Sequence, residues 1–314
     1  MKAIVVTDRA AGTAGMRLVE RPEPDTARLA SLEGANYGDV VVEVHSSGFT
    51  GDELEWPSTW IDRLGRDRTP SIPGHEVAGV VTALSYGATG LSVGQRVFGL
   101  TDWTRDGTLA EYVVVEARNL APLPGDVDFT VGAGVAMAGL TAWQGLFDHG
   151  QLLEGHSVLV HGAAGVVGSM ATQLARQAGA YVIGTGRASG RQTAVDFGVH
   201  EFVDLDNDTL EDVGEVDLVF DVLGGDIQKR SAGLVRAGGT LVTVTGPPEV
   251  RPADGRAIDF VVVSDRVQLG EIARRVWDGR VRTNIGTVAT LDGAVAALNP
   301  TERTRGKTII RVRP

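Results

Sequence analysis

The chain has 314 residues, 43% of them hydrophobic and 22% charged, which is the ordinary balance of a globular protein with room for two cores. A net charge of −11 argues against a nucleic-acid partner, whose phosphate backbone needs a positive face. There are no cysteines, so disulfides and any Cys-ligated metal are excluded.

The opening run, Met1 to Asp8, meets an acidic residue too soon for a signal-peptide core. No apolar stretch approaches the roughly 18–20 residues of a membrane helix, and the cytoplasm is the expected location. Residues 1–124 read as short strands and glycine-rich turns: Val40–Val44, Val77–Leu84, Gln95–Gly99 and Ala110–Val115. The character changes at Pro122-Leu123-Pro124-Gly125. Strands and helices then alternate: a helix over Val131–Phe147, a strand at 157–161, a helix through Ala178 and a strand at 180–184. A helix near Arg191–Phe197, strands near Phe202 and at Leu218–Asp221, a helix near Ile227–Val235, and strands at Gly239–Thr245 and Ile258–Val263 complete the series. Such alternation predicts a doubly wound parallel sheet over 125–264. A helix follows at Asp265–Asp278, and the tail strand Gly306–Val312 is expected to return to the first domain, which comprises 1–124 and 265–314.

The most informative residues are Gly162-Ala163-Ala164-Gly165-Val166-Val167-Gly168, set between a strand and a helix. A tight turn of small residues there lets backbone N–H groups approach a pyrophosphate, which the helix N-terminus favours. About twenty residues on, where an NAD site places an acid, the loop Gly184-Thr185-Gly186-Arg187-Ala188-Ser189-Gly190-Arg191 has none. Its hydroxyls and two arginines suit a 2′-phosphate and predict NADPH; the bland alternative is a solvated basic turn.

The order of domains resembles the medium-chain dehydrogenase/reductase superfamily. The marks are Pro73-Gly74-His75-Glu76-Val77-Ala78-Gly79-Val80-Val81, Val93-Gly94-Gln95-Arg96-Val97, Gly139-Leu140-Thr141-Ala142, the run from His161 to Gly168, and Gly238-Gly239-Thr240-Leu241-Val242. Within it the chain is similar to the zinc-independent quinone oxidoreductase branch. The resemblance implies a GroES-like β-rich catalytic domain beside a Rossmann domain. It also implies NADPH-dependent reduction of quinones, enones or related activated alkenes.

His75-Glu76 resembles the element that gives zinc alcohol dehydrogenases one ligand, but the other ligand positions fall at Thr50 and Met137, so no metal is expected. Thr50, where the quinone oxidoreductase branch often has asparagine, retains a hydroxyl donor. Asp52 lies near the proton relay of the zinc enzymes, and is either an acid raised by burial or a solvated turn residue. Trp56, Trp60 and Trp103 either wall a site for a flat carbonyl substrate or are loop packing. Thr141 lies near the nicotinamide or bonds its own helical turn.

The strand ends carrying Val222 and Thr245 flank the cofactor. Arg303 and Lys307 reach its phosphates or form a solvated stretch. The run Ile258–Val263 resembles the edge strand through which two subunits pair, which predicts a homodimer. Two other readings stay open here: a zinc-type alcohol dehydrogenase with noncysteine ligands, and a catalytically silent NADPH-binding protein.

Overall fold

The computed structural model describes residues 1–30, 37–301 and 305–313. Two compact units emerge: Met1–Met137 with Ser264–Gly279 and Ile285–Pro314, and Ala138–Val263 with Arg280–Asn284. The first unit thus runs past the expected 124/125 boundary. The passage falls inside helix α1, Phe129–Trp143, because the first part of that helix packs on the β-rich unit, where Gly132 faces Ala78 and Leu123.

In the first unit a seven-stranded sheet runs in the order Ile285–Thr290, Lys307–Arg311, Asp39–Gly48, Glu76–Leu84, Arg96–Leu100, Leu120–Pro122, with Tyr112–Glu116 also paired to Asp39–Gly48. Alternation in the valine-rich strand sends Val40, Val42 and Val44 into one core with Val77, Val81, Val97, Val113 and Val115. A second core gathers Ile4, Val6, Phe49, Leu54, Leu109 and Ile310. The tail strand does return to this unit, pairing antiparallel with Ser46–Gly48.

The second unit is a six-stranded sheet whose strands are β1 Ser157–Val160, β2 Tyr181–Gly186, β3 Glu201–Asp204, β4 Val216–Asp221, β5 Val235–Thr243 and β6 Arg256–Asp259. Their spatial order is β3-β2-β1-β4-β5-β6, all parallel. This is the dinucleotide-binding order, with its switch point between β1 and β4. The unbroken runs Val158–Val160 and Leu218–Phe220 are fully buried, as strands covered on both faces require. Helices α2 Val166–Gln177, α3 Arg191–Phe197 and α4 Gly225–Ser231 supply the crossovers. α2 buries Met170, Ala171, Leu174 and Ala175, its apolar stripe.

The last strand differs from the sequence expectation. Pairing with β5 stops at Asp259, while Val263 is held by a reciprocal pair of hydrogen bonds to the Gln144 side chain. Gln144 opens a π-helical turn, Gln144–His149, that continues α1. Helix α5, Arg266–Trp277, belongs to the first unit and is capped by Asp265, whose carboxylate accepts from Val267 and Gln268. Among the described residues no helix is long and apolar enough to cross a membrane.

Candidate functional site

In the second unit β1 delivers the chain to a turn that only small residues can make. Gly162 has φ +64°, and the Gly165 amide donates to its carbonyl at 2.7 Å. A Cβ on Gly168 would lie 2.2 Å from the Gly162 oxygen, so α2 can approach the turn only without a side chain there. Gly184, on β2, likewise leaves room for the Ala163 methyl. Gly165 caps α2 with no side-chain bond, and the first turn carries no acid. The N–H groups at that end therefore remain open to an anion.

Beside the turn, β4 ends on Asp221, which is fully buried. One carboxylate oxygen accepts the Leu223 and Gly224 amides at 2.9 and 3.0 Å; the other accepts the Gln228 amide at 3.0 Å and the Thr243 hydroxyl at 2.8 Å. Four donors fix the loop that carries Val222, whose methyl group lies 3.1 Å from where a Gly162 Cβ would stand. Thr245 joins the same network through Thr243. Sequence reading placed only the backbone of this segment by the cofactor; the acid at the strand end was the available signal for the hub.

Of the expected specificity loop, Thr185 is buried and its hydroxyl turns to His161 at 2.8 Å, away from an open surface. Gly186 ends β2. Arg191 is already engaged: it donates to the Phe202 carbonyl, lies over the Phe202 ring and reaches Asp208 at 3.5 Å. Arg187 is exposed, and among the described residues its guanidinium has no hydrogen bond or ion pair. Thr141 is buried in α1. Arg303 lies outside the described residues.

In the first unit three positions singled out by the sequence converge. The Thr50 hydroxyl donates to the Met137 sulfur at 3.4 Å. His75, 2% exposed, bonds the Thr101 hydroxyl through Nδ1 at 2.8 Å. Burial, with Arg68 adding repulsion, pushes its pKa down to about 3, so the ring is neutral. The expected acid is displaced by one residue: Asp52 is exposed, while Glu53 is completely buried. Glu53 accepts the Thr50 and Gly74 amides, each at 2.8 Å, and its second oxygen lies 4.0 Å from His75 Nε2. Burial outweighs those two amides and pushes its pKa up to about 8. The short turn packs residue 53 inward and 52 outward, a one-position distinction that spacing alone does not decide.

Glu76 accepts the Met137 amide at 3.0 Å and pairs with Lys307 from the tail strand. Lys307 is therefore a buried ion-pair partner and not part of a solvated stretch. Trp56 and Trp103 meet edge to face at 5.4 Å, and both flank the His75 ring at 6.2 and 5.0 Å. Trp60 instead donates to the Leu54 carbonyl and packs on the core, the loop-packing alternative.

These donors do not fit zinc. A hydroxyl, a thioether and one neutral imidazole supply no thiolate and too few nitrogen or carboxylate ligands. Among the described residues no group of three or more His, Asp or Glu could hold a metal ion.

Residues 36–125 match the family model described as alcohol dehydrogenase GroES-like domain, and residues 166–267 the model described as zinc-binding dehydrogenase. Quinone oxidoreductase of Homo sapiens is 31% identical over 234 residues, covering 71% of this chain and 70% of that one. The structure of the quinone oxidoreductase from Coxiella burnetii matches with a TM-score of 0.86 at 24% identity, covering 100% of this chain and 99% of the other. A mycobacterial protein solved in complex with NADPH matches with a TM-score of 0.82 at 24% identity, covering 99% and 100%.

Proposed function

Since the chain belongs to the medium-chain dehydrogenase/reductase superfamily, in its quinone oxidoreductase-like branch, we propose that it reduces quinones, enones or related activated alkenes with NADPH and without a metal. The observation that carries this reading is the corner of Thr50, His75 and Met137. By the resemblance to zinc alcohol dehydrogenases these are ligand positions, and their side chains here do not make a zinc ligand set. Alcohol or aldehyde chemistry there would lack its Lewis acid. Reduction of a conjugated alkene needs less, because charge delocalises onto the carbonyl oxygen as an enolate that a hydrogen-bond donor can hold.

Bound NADPH supplies the hydride. The turn Gly162, Ala163, Ala164, Gly165 and the amides of Val166 and Val167 would take its pyrophosphate. Asp221 fixes the loop of Val222 beside that turn, and Arg187 would meet the 2′-phosphate. The choice of NADPH rests on Arg187 and on the lack of an acid in the loop from Gly184 to Arg191. On the substrate side the Thr50 hydroxyl is the donor to the developing oxyanion. Its present acceptor is a thioether sulfur, a weak one, so little is lost when the hydroxyl turns to oxygen. Trp56 and Trp103 present flat apolar faces to a planar conjugated carbonyl. Asp52 is exposed, the solvated turn residue of the two alternatives, and water is the proton source for the substrate α-carbon.

The edge strand β6, followed by the exposed Val261 (76%) and Val263 (62%), supports a homodimer built by edge pairing. Light scattering at micromolar concentration tests it, and a monomer there refutes it. The function is tested by following NADPH oxidation over a panel of quinones, enones, enals and simple aldehydes with metal analysis of the same sample. Turnover of conjugated acceptors by metal-free protein is expected. Turnover confined to aldehydes, or stoichiometric zinc, overturns the reading.

A further inference from the structure

His161 stands between β1 and the glycine turn, with its ring completely buried among β2, β4 and α4. Its Nε2 lies 2.7 Å from the Ser231 hydroxyl oxygen, and that hydroxyl donates to the Ile227 carbonyl at 2.7 Å. A hydroxyl has one proton. With that proton given to Ile227, Ser231 can only accept, so Nε2 carries the imidazole hydrogen. Burial, opposed by the charge of Asp221, keeps the ring neutral near pH 7. Nδ1 is then bare and accepts the Thr185 hydroxyl at 2.8 Å. The chain of bonds closes on the turn, because the Thr185 carbonyl accepts the Ala163 amide at 3.0 Å and the His161 amide donates to Phe220 at 3.0 Å.

We propose that His161, fixed as the Nε2–H tautomer by Ser231, is a positioning residue that holds the Gly162–Gly165 turn in the shape that receives a dinucleotide pyrophosphate. The inference rests on the nicotinamide reading given above. An apolar residue of similar bulk would fill the space but leave the Thr185 hydroxyl without its ring acceptor and the Ser231 hydroxyl bonded to Ile227 alone. The turn would keep the backbone bond from Ala163 to β2 but lose the side-chain link through the ring to Thr185 and α4. The ring's role is directional, which is why a tautomer matters.

Two measurements test this on the whole protein. Long-range proton–nitrogen NMR of histidine-labelled protein reports the tautomer, with the His161→Asn variant assigning the signal. Calorimetry reports binding of NADPH and of 2′-AMP, which has the 2′-phosphate but no pyrophosphate. The expected results are an Nε2–H ring unchanged between pH 6 and 8 and about tenfold weaker NADPH binding in His161→Leu. Binding of 2′-AMP should stay within twofold of wild type. Should His161→Leu not fold, Ser231→Ala, which frees only Nε2, is expected to give a smaller loss in the same direction.

An Nδ1–H ring overturns the assignment, as do variants that bind NADPH as wild type does or that lose both nucleotides equally. Wild-type protein that binds no nicotinamide nucleotide overturns this and the reading beneath it, whereas NADPH bound beside an Nδ1–H ring overturns this alone.

Discussion

The Thr50 hydroxyl hydrogen-bonds the Met137 sulfur at 3.4 Å, joining two positions nearly ninety residues apart at one corner. The bond is weak, and replacing Thr50 by the isosteric valine should leave the melting temperature almost unchanged. If the hydroxyl is the donor to a substrate oxyanion, Thr50→Val should lower kcat by about a hundredfold with the KM for NADPH unaltered. Steady-state kinetics with a quinone acceptor provides the check. Equal kcat in the two proteins would remove Thr50 from the chemistry.

The same corner predicts indifference to chelators. Prolonged dialysis against a strong chelator, followed by assay in metal-free buffer, should leave both activity and thermal stability where they were. Loss of either, restored by zinc, would mean that ligands other than these three positions bind the ion.

Arg187 and Arg191 looked equivalent in the sequence, and the structure separates them. Arg191 is held over Phe202 and towards Asp208, whereas Arg187 is exposed and uncommitted among the described residues. Arg187→Ala should raise the KM for NADPH about tenfold and leave that for NADH nearly constant. Arg191→Ala should discriminate less, since its charge is already compensated. Equal effects of Arg187→Ala on both nucleotides would refute the 2′-phosphate role.

Much of this was legible beforehand, for physical reasons. The parallel sheet announced itself through unbroken apolar runs such as Val158–Val160, and the tight turn after β1 through glycines whose spacing is dictated by backbone clashes. What escaped was direction. Glu53 and Asp52 are adjacent acids, and only the sense of a short turn buries one and exposes the other. Thr185 sits where a cofactor hydroxyl would, but its side chain points to His161 because strand alternation sends it inward. The β-branched run Val261–Val263 suggests a longer β6 edge, but the Val263 backbone is tied to a side chain, Gln144, instead of a strand.

The two buried groups beside Thr50 give stability a defined pH dependence. Glu53 is raised from 4.5 to about 8, so the folded protein keeps a proton that the unfolded chain releases above 4.5. Its contribution is complete below about 4.5 and fades as pH rises through about 8. His75 is lowered from 6.5 to about 3, so its contribution is present above 6.5 and fades as pH falls towards 3. Glu53→Gln should flatten the alkaline limb of a urea-denaturation profile and leave the acid limb intact. The Gln amide nitrogen would face one of the two backbone donors, so the variant should be less stable at pH 5 by about 1–3 kcal/mol. The deficit should shrink towards pH 9. A deficit independent of pH would mean that Glu53 is ionised in the fold.

Gly165 and Gly168 frame the turn between β1 and α2, and alanine at the two positions should behave differently. In the body of a helix alanine is favoured over glycine by about 0.5–1 kcal/mol, so propensity alone would make Gly168→Ala stabilising. Against that, its Cβ would stand 2.2 Å from the Gly162 oxygen, 2.7 Å from its carbonyl carbon and 2.9 Å from the Ala163 Cα. All three are backbone atoms, so no rotamer relieves the clash and α2 must move away from the turn. Overpacking of this kind costs about 1–3 kcal/mol, which outweighs the propensity gain. At Gly165 the one close atom is the Gly162 oxygen at 3.0 Å, which a small shift relieves. Gly168→Ala should therefore lower the melting temperature and weaken NADPH binding by calorimetry more than tenfold, with Gly165→Ala milder on both counts. The reverse ranking would show that the turn and helix are not packed as described.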